Sequence, residues 1–245
     1  MTAQPTGGRS KKIAIIQSNY IPWKGYFDII NMVDEFIVYD DAQFTKNSWR
    51  NRNRIKTPKG PVWLTIPVAT GGRFGQAIDE VEIADRSWAE KHWRSWQTHY
   101  AMAPFFTSFA PKVEALYAAA AKEERLSLVN MTFLKGLGGL LGVDTSLTWS
   151  RDYTVNGSKT DRVIALCQAA GATAYVSGPA AQDYIEAEKF TAAGIDLIYM
   201  DYSGYPEYPQ VHPPFDHAVS VIDLLFSVGE KATTLMKSFG AADRP

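Results

Sequence analysis

The segment SWRNRNRIKT, residues 48–57, sets three arginines and a lysine at alternate positions: Arg50, Arg52, Arg54 and Lys56. On a strand, side chains two apart share a face, so the four cations are expected to form one row, with Asn51, Asn53 and Ile55 on the other face. Like charges this close repel unless something negative lies against them. The row is therefore either a solvated sheet edge or a cradle for an anion, which arginine matches through bidentate contacts to phosphate. Its place between Asp40–Asp41 and the apolar run PVWLTIPV favours the cradle, with Lys46 just upstream. Asn51 and Asn53 make poor core residues unless hydrogen-bonded. They are expected to fix the loop that presents the cations.

Groups able to move a proton are few. Asp40 and Asp41 are adjacent, so on a strand they point to opposite faces and cannot form a paired-carboxylate machine. Either one could meet a substrate amine or a cation, pair with the arginine row, or simply cap the next turn. Of the four histidines, His212 lies in the Pro-rich stretch YPEYPQVHPPF, as a proton-shuttle candidate or a solvated loop residue. His92 and His99 share a helix face with Trp88 and Trp96, and the spacing of a zinc helix is absent. There is no GxSxG motif, and Cys167 sits in the apolar pattern VIALCQAAGA, where cysteine is a small core residue. The catalytic candidates are therefore Asp40, Asp41 and His212, with no metal ligand set.

Two turns suit an anion. VSGPAA places Ser177 and Gly178 between a strand and a helix start, and NGSKTDR places Ser158, Lys159, Thr160 and Arg162 beside another. Helix N-termini offer free N–H groups, although each turn can equally be a plain strand-to-helix connection. Neither is a P-loop or a Rossmann fingerprint. Further polar residues close the other strands: Gln17 and Asn19 after the first, Asp201 and Tyr202 after the last. Ligands of open α/β sheets bind outside such strand ends. Aromatics in polar company are expected to line a cleft. These are Tyr20, Trp23 and Tyr26 around Gly25, then Trp88, Trp93 and Trp96, then Tyr202, Tyr205 and Tyr208. His92 joins this binding set.

The elements that must position these residues follow from periodicity and punctuation. KIAIIQS reads as a buried strand, YFDIINMVD as a helix and EFIVYDD as a second strand. PVWLTIPV gives a third strand and VEIA (81–84) a short fourth. A helical block spans about 87–142, with Ser87 as N-cap and a break at Pro104. SLTWSRDY, TAYVSG and GIDLIYMDY are strands; SKTDRVIALCQAAG, PAAQDYI and SVIDLLFSVGEKATTLMKSF are helical. The order predicts an α/β fold: one open, mostly parallel sheet with flanking helices and a helical insertion. Residues 12–245 are expected to form a single domain behind a disordered tail, 1–11. A net charge of -1 gives no basic field for nucleic acid. One cysteine excludes a disulfide framework, and no apolar run reaches membrane-span length. A cytoplasmic protein is expected.

The stretch from IIQSNYIPWKGYFDII to WRNRNRIKTPKGPVWLTIPV resembles the opening of the WbqC-like protein family. SKTDRVIALCQAAGA, YVSGPAAQDYI and GIDLIYMDYSGYPEYPQ fit as well. The resemblance implies a bacterial protein of surface-polysaccharide or amino-sugar pathways, which transfers an acyl or aminoacyl group to an amine of a nucleotide-linked or activated sugar. Its partner would be a small phosphorylated molecule. A fold-level analogy connects Trp23-Lys24-Gly25-Tyr26 with the HxGH turn of nucleotidyltransferases, with aromatics in both histidine places. Two alternatives stay open: an ATP-dependent ligase of that kind, which alone would call for magnesium, and a non-catalytic partner of a glycan enzyme. Oligomeric state and cofactors are unknown from sequence.

Overall fold

The computed structural model describes residues 10–240. β1 (Lys12–Ile16), α1 (Lys24–Asn31) and β2 (Glu35–Val38) open the chain, and β5 (Ser146–Trp149), β6 (Ala174–Ser177) and β7 (Asp196–Tyr199) follow the central helices. The five strands pair in parallel in the order β5-β2-β1-β6-β7. This is the expected open α/β sheet. Alternate side chains go to opposite faces. Ala14, Phe36, Val38 and Val176 enter the larger core; Ile13, Ile15, Ile37 and Tyr175 enter a second core with α5 (Lys159–Ala169) and α6 (Ala187–Ala192). The buried Cys167 belongs to this second core, where burial pushes its thiol up to about 12.

Several boundaries differ from expectation. The cationic segment and the run after it form a separate antiparallel hairpin, β3 (Arg52–Thr57) and β4 (Gly60–Thr65), outside the main sheet, and Pro61, Val62 and Trp63 are exposed. VEIA is not a strand: Glu82 and Ile83 make only isolated bridges. The last helix, α7 (Val221–Val228), stops there because Gly229 takes φ +63, and a 3₁₀ turn continues to Leu235. PAAQDYI supplies a 3₁₀ turn, Pro179–Asp183. The expected tail lies outside the described residues up to position 9. Its last member, Lys11, instead pairs with Glu35 at 2.8 Å and donates to the Ala170 carbonyl.

Three helices fill the central block: α2 (Trp88–Tyr100), α3 (Phe106–Ala120) and α4 (Leu126–Leu140), with Pro104 in the first turn between them. Ser87 stands at the N-cap position of α2, but its hydroxyl binds Asp85 instead. The tryptophans expected in a cleft are core residues, with Trp88 2% and Trp96 0% exposed. The indole N–H groups of Trp93 and Trp96 find acceptors within the protein. Trp96 donates to the Tyr117 hydroxyl at 2.7 Å, Tyr117 and Tyr20 bond at 2.9 Å, and Tyr20 meets His92 Nδ1 at 2.8 Å. Because the indole can only donate, one proton order runs along the chain: indole to Tyr117, Tyr117 to Tyr20, Tyr20 to imidazole. Tyr20 and His92, both expected at a ligand, are thus interior members of this chain.

Burial pushes the His92 imidazole down to about 4. The unfolded chain then binds a proton that the folded one refuses as pH falls from about 6.5 to about 4, so stability is lost across that window. His92→Gln lacks this component. Its stability deficit relative to wild type, measured by urea unfolding, is expected to shrink by up to about 3 kcal/mol from pH 7 to pH 4. A constant deficit would show that His92 is not held neutral.

Candidate functional site

β1 is the topological switch point: the chain moves to β2 on one side and returns to β6 on the other. Ligands of open α/β sheets bind at the crevice outside such a point. A cleft of about 920 Å³ lies there. Gln17 and Asn19 after β1, Tyr39 after β2, Ser177 to Ala181 after β6, Lys159 and Thr160 at the start of α5, and Tyr202 beyond β7 all line it. Tyr26, Trp49, Arg50, Tyr175 and Tyr184 complete the polar and aromatic wall. The charged side chains lining it, among the described residues, are Arg50 and Lys159, both cations.

The loop after β1 is held from below by a buried carboxylate. Asp40 is 1% exposed. It accepts the Ser18 backbone N–H at 2.8 Å, the Ser18 hydroxyl at 2.7 Å and the Ser127 hydroxyl of α4. Burial pushes its carboxyl above the usual range, against the pull of these donors and of Arg50. Asn130 of α4 extends the network by donating to Ser18 Oγ at 2.8 Å and to the Arg50 carbonyl at 2.9 Å. The Arg50 guanidinium in turn donates to the Gln17 carbonyl at 3.1 Å and to Asn19 Oδ1. Asn53 of β3 adds two bonds, to the carbonyls of Tyr20 and Ile21 at 3.0 and 2.9 Å. Ile21 itself has φ +36, a conformation β-branched residues avoid, so the surrounding bonds over-determine the loop.

The cations do not form one row. Arg50 precedes the strand and turns into the cleft. Arg52 lies 4.1 Å over the Trp63 ring, which is 42% exposed. Arg54 binds the Ala218 carbonyl at 2.9 Å and Asp216 at 3.4 Å. Lys56 is 1% exposed, its ammonium on the Pro214 carbonyl. The hairpin meets different neighbours along its length, and Arg52, Arg54 and Lys56 are each engaged locally.

Other candidates scatter for similar reasons. Asp41 points away from Asp40, to the Ser150 hydroxyl at 2.6 Å and to Arg162. His212 bonds the His99 carbonyl at 2.8 Å, at the end of α2 and away from the cleft lining. Asp201 is exposed and pairs with Lys237 at 3.2 Å, and Lys46 is exposed outside the cleft. Ser158 occupies the N-cap position of α5 without a capping bond. Tyr205 is buried, its hydroxyl on Asp28. Trp23 packs on Tyr202 and Tyr205 at 5.1 and 5.6 Å, across Gly25, where a Cβ would lie 2.3 Å from the indole. Tyr26 donates to the Gln17 carbonyl at 2.9 Å. The two aromatics in the HxGH-like turn thus pack and bond within the protein, and Tyr26 also lines the cleft. Tyr39, Trp49, Tyr175 and Tyr184 were not singled out from sequence. Trp49 and Tyr39 adjoin segments that were, while Tyr175 and Tyr184 carried no local signal. Among the described residues no group of three or more His, Cys, Asp or Glu side chains could hold a metal ion, and no helix is long and apolar enough to cross a membrane.

The profile of the WbqC-like protein family matches residues 17–235. A protein of Mycobacterium tuberculosis (strain ATCC 25618 / H37Rv), named "Uncharacterized protein Rv1507c", is 46% identical over 227 residues, covering 93% of this chain and 98% of that one. No solved structure matches the chain.

Removing the Asp40 carboxylate leaves three buried donors without an acceptor. Asp40→Ala is expected to cost about 2–4 kcal/mol in urea unfolding. Asp40→Asn keeps one acceptor oxygen and should cost less. A loss under about 0.5 kcal/mol for the alanine variant would show that the network does not hold the loop.

Proposed function

The chain belongs to the WbqC-like protein family, and we propose that it is an enzyme of bacterial surface-glycan or amino-sugar metabolism. It binds a nucleotide-linked or otherwise phosphorylated sugar in the switch-point cleft and transfers an acyl or aminoacyl group to an amine of that sugar. The observation that carries this reading is the character of the cleft: its charged side chains are Arg50 and Lys159, which calls for an anion. Arg50 is held by Gln17 and Asn19, so its guanidinium is pre-oriented and loses little freedom on binding. The turn Gly178–Ala181 brings backbone against the same space, and the rings of Tyr39, Trp49, Tyr184 and Tyr202 suit a base or sugar face. The volume, about 920 Å³, fits a small-molecule ligand.

In this reading the residues divide by task. Arg50 and Lys159 take phosphate oxygens. Asp40 is a positioning residue that acts through Ser18 and the loop. Asp41 holds Arg162 beside the start of α5. The protein works in the cytoplasm on small molecules, not on nucleic acid.

Calorimetric titration tests the reading, with UDP, dTDP and GDP and the amino sugars linked to them. At least one of these is expected to bind more tightly than about 1 mM. Arg50→Lys keeps the charge but loses the fork and should weaken that binding roughly ten- to a hundred-fold. Arg52→Ala, on the outer face of the hairpin, should change it less than about three-fold. The reading is overturned if none of these ligands binds, or if both variants bind like wild type.

A further inference from the structure

A second, smaller cavity of about 240 Å³ adjoins the cleft. Asn19, Pro22, Trp23, Trp49, Asn53, His217 and Ala218 line it, and Asn19 and Trp49 line both spaces. The two differ in character. The cleft carries cations. The smaller cavity is walled by two indoles, a proline and an alanine, with two amides and one imidazole as its polar groups. Its volume is the share of about eight liquid waters, room for a single sugar ring with little to spare.

The walls are preformed. Pro22 follows the strained Ile21, and its carbonyl accepts the Val221 N–H at 2.8 Å. Arg54 fixes the opposite wall by binding the Ala218 carbonyl at 2.9 Å and Asp216 at 3.4 Å, and its own carbonyl accepts Ser220 N–H at 3.1 Å. Phe215 packs edge-on to His217 with ring centroids 4.5 Å apart. Arg54 therefore positions the segment that presents His217, and no carboxylate is among the lining residues. A pocket with aromatic faces and a few neutral hydrogen-bonding groups suits an uncharged, hydroxyl- and amide-bearing ring better than an ion.

We propose that the smaller cavity is a second subsite, which receives the N-acylated sugar ring of the ligand whose phosphates lie at Arg50, with His217 hydrogen-bonding to the ring. This rests on the nucleotide-linked-sugar reading of the cleft. Trp23 and Trp49 then stack on the ring, and Asn19 stands at the junction between its charged and neutral halves.

Tryptophan fluorescence provides the test, because two indoles line the subsite. Wild-type protein is titrated with UDP and dTDP, and with UDP-N-acetylglucosamine and dTDP-linked N-acetylated amino sugar. The conjugate is expected to bind about ten-fold more tightly than its diphosphate. Ala218→Trp fills the cavity and should abolish that advantage while diphosphate binding stays within about three-fold of wild type. His217→Gln, which removes the imidazole on an exposed loop, should cost the conjugate alone about ten-fold. The subsite is overturned if the diphosphates bind but Ala218→Trp leaves the conjugate's advantage intact, or weakens both ligands equally. Should neither diphosphate nor conjugate bind wild-type protein, the cleft reading itself falls, and the subsite with it.

Discussion

The Asp40 carboxylate, closed off from solvent at the end of β2, is the constraint on which the site depends. A buried carboxylate is tolerated only where donors surround it, and here the donors are the backbone and hydroxyl of Ser18 and the hydroxyl of Ser127. Those bonds join β2, the loop after β1 and α4 at one point. Everything that lines the cleft from the β1 side, including Gln17, Asn19 and Arg50, hangs from that junction through Ser18 and Asn130. The interior hydrogen-bond chain from Trp96 to His92 anchors the same loop two residues beyond Ser18, through Tyr20. A loop held by two such anchors just before the strained Ile21 is rigid, and on the proposed reading that rigidity lets it present its groups with little entropy lost at binding.

The hairpin contributes by its two faces in different ways. The inner face sends Asn53 under the carbonyls of Tyr20 and Ile21, and Asn51 Nδ2 to the Ile66 carbonyl at 3.0 Å. The outer face carries Arg52 on Trp63, with Trp49 5.1 Å from Trp63. Arg54, between these roles, ties the hairpin to the 216–218 segment. The hairpin is thus a bracket that spans the cleft and the smaller cavity, and Trp49 stands where the two meet. On the proposed reading, the cationic cleft takes the charged half of the ligand and the neutral cavity beside it the uncharged half.

Much of the architecture was legible in the chain. Short apolar runs ending in polar residues, with helical periodicity between them, predict a parallel sheet, and five of the expected strands pair that way. Local rules located the turns that line the cleft, including Ser177–Gly178 and Lys159–Thr160, because strand-to-helix turns lie at one end of a parallel sheet whatever the pairing order. What misled was locality itself. Tryptophans among polar neighbours on α2 looked like cleft residues, since periodicity does not reveal that α3 and Phe226 pack on that helix. PVWLTIPV looked like a sheet strand, and its apolar run is half of a separate hairpin.

The sequence by itself determined the fold class, the family resemblance and the polar character of the strand ends, because these depend on residue type and short-range spacing. Tertiary structure alone decided which of those groups meet. Arg50, Arg52, Arg54 and Lys56 are equivalent by spacing, yet only Arg50 lines the cleft, because the strand begins after it and Gln17 and Asn19 turn its guanidinium inward. Asp40 and Asp41 are neighbours by sequence, yet one is entombed beneath the loop and the other faces Arg162. His212 and His217 share one irregular segment, and only contact with Arg54 and β1's loop brings the second of them to a cavity. Each outcome turns on contacts between residues far apart in the chain, which no local pattern encodes.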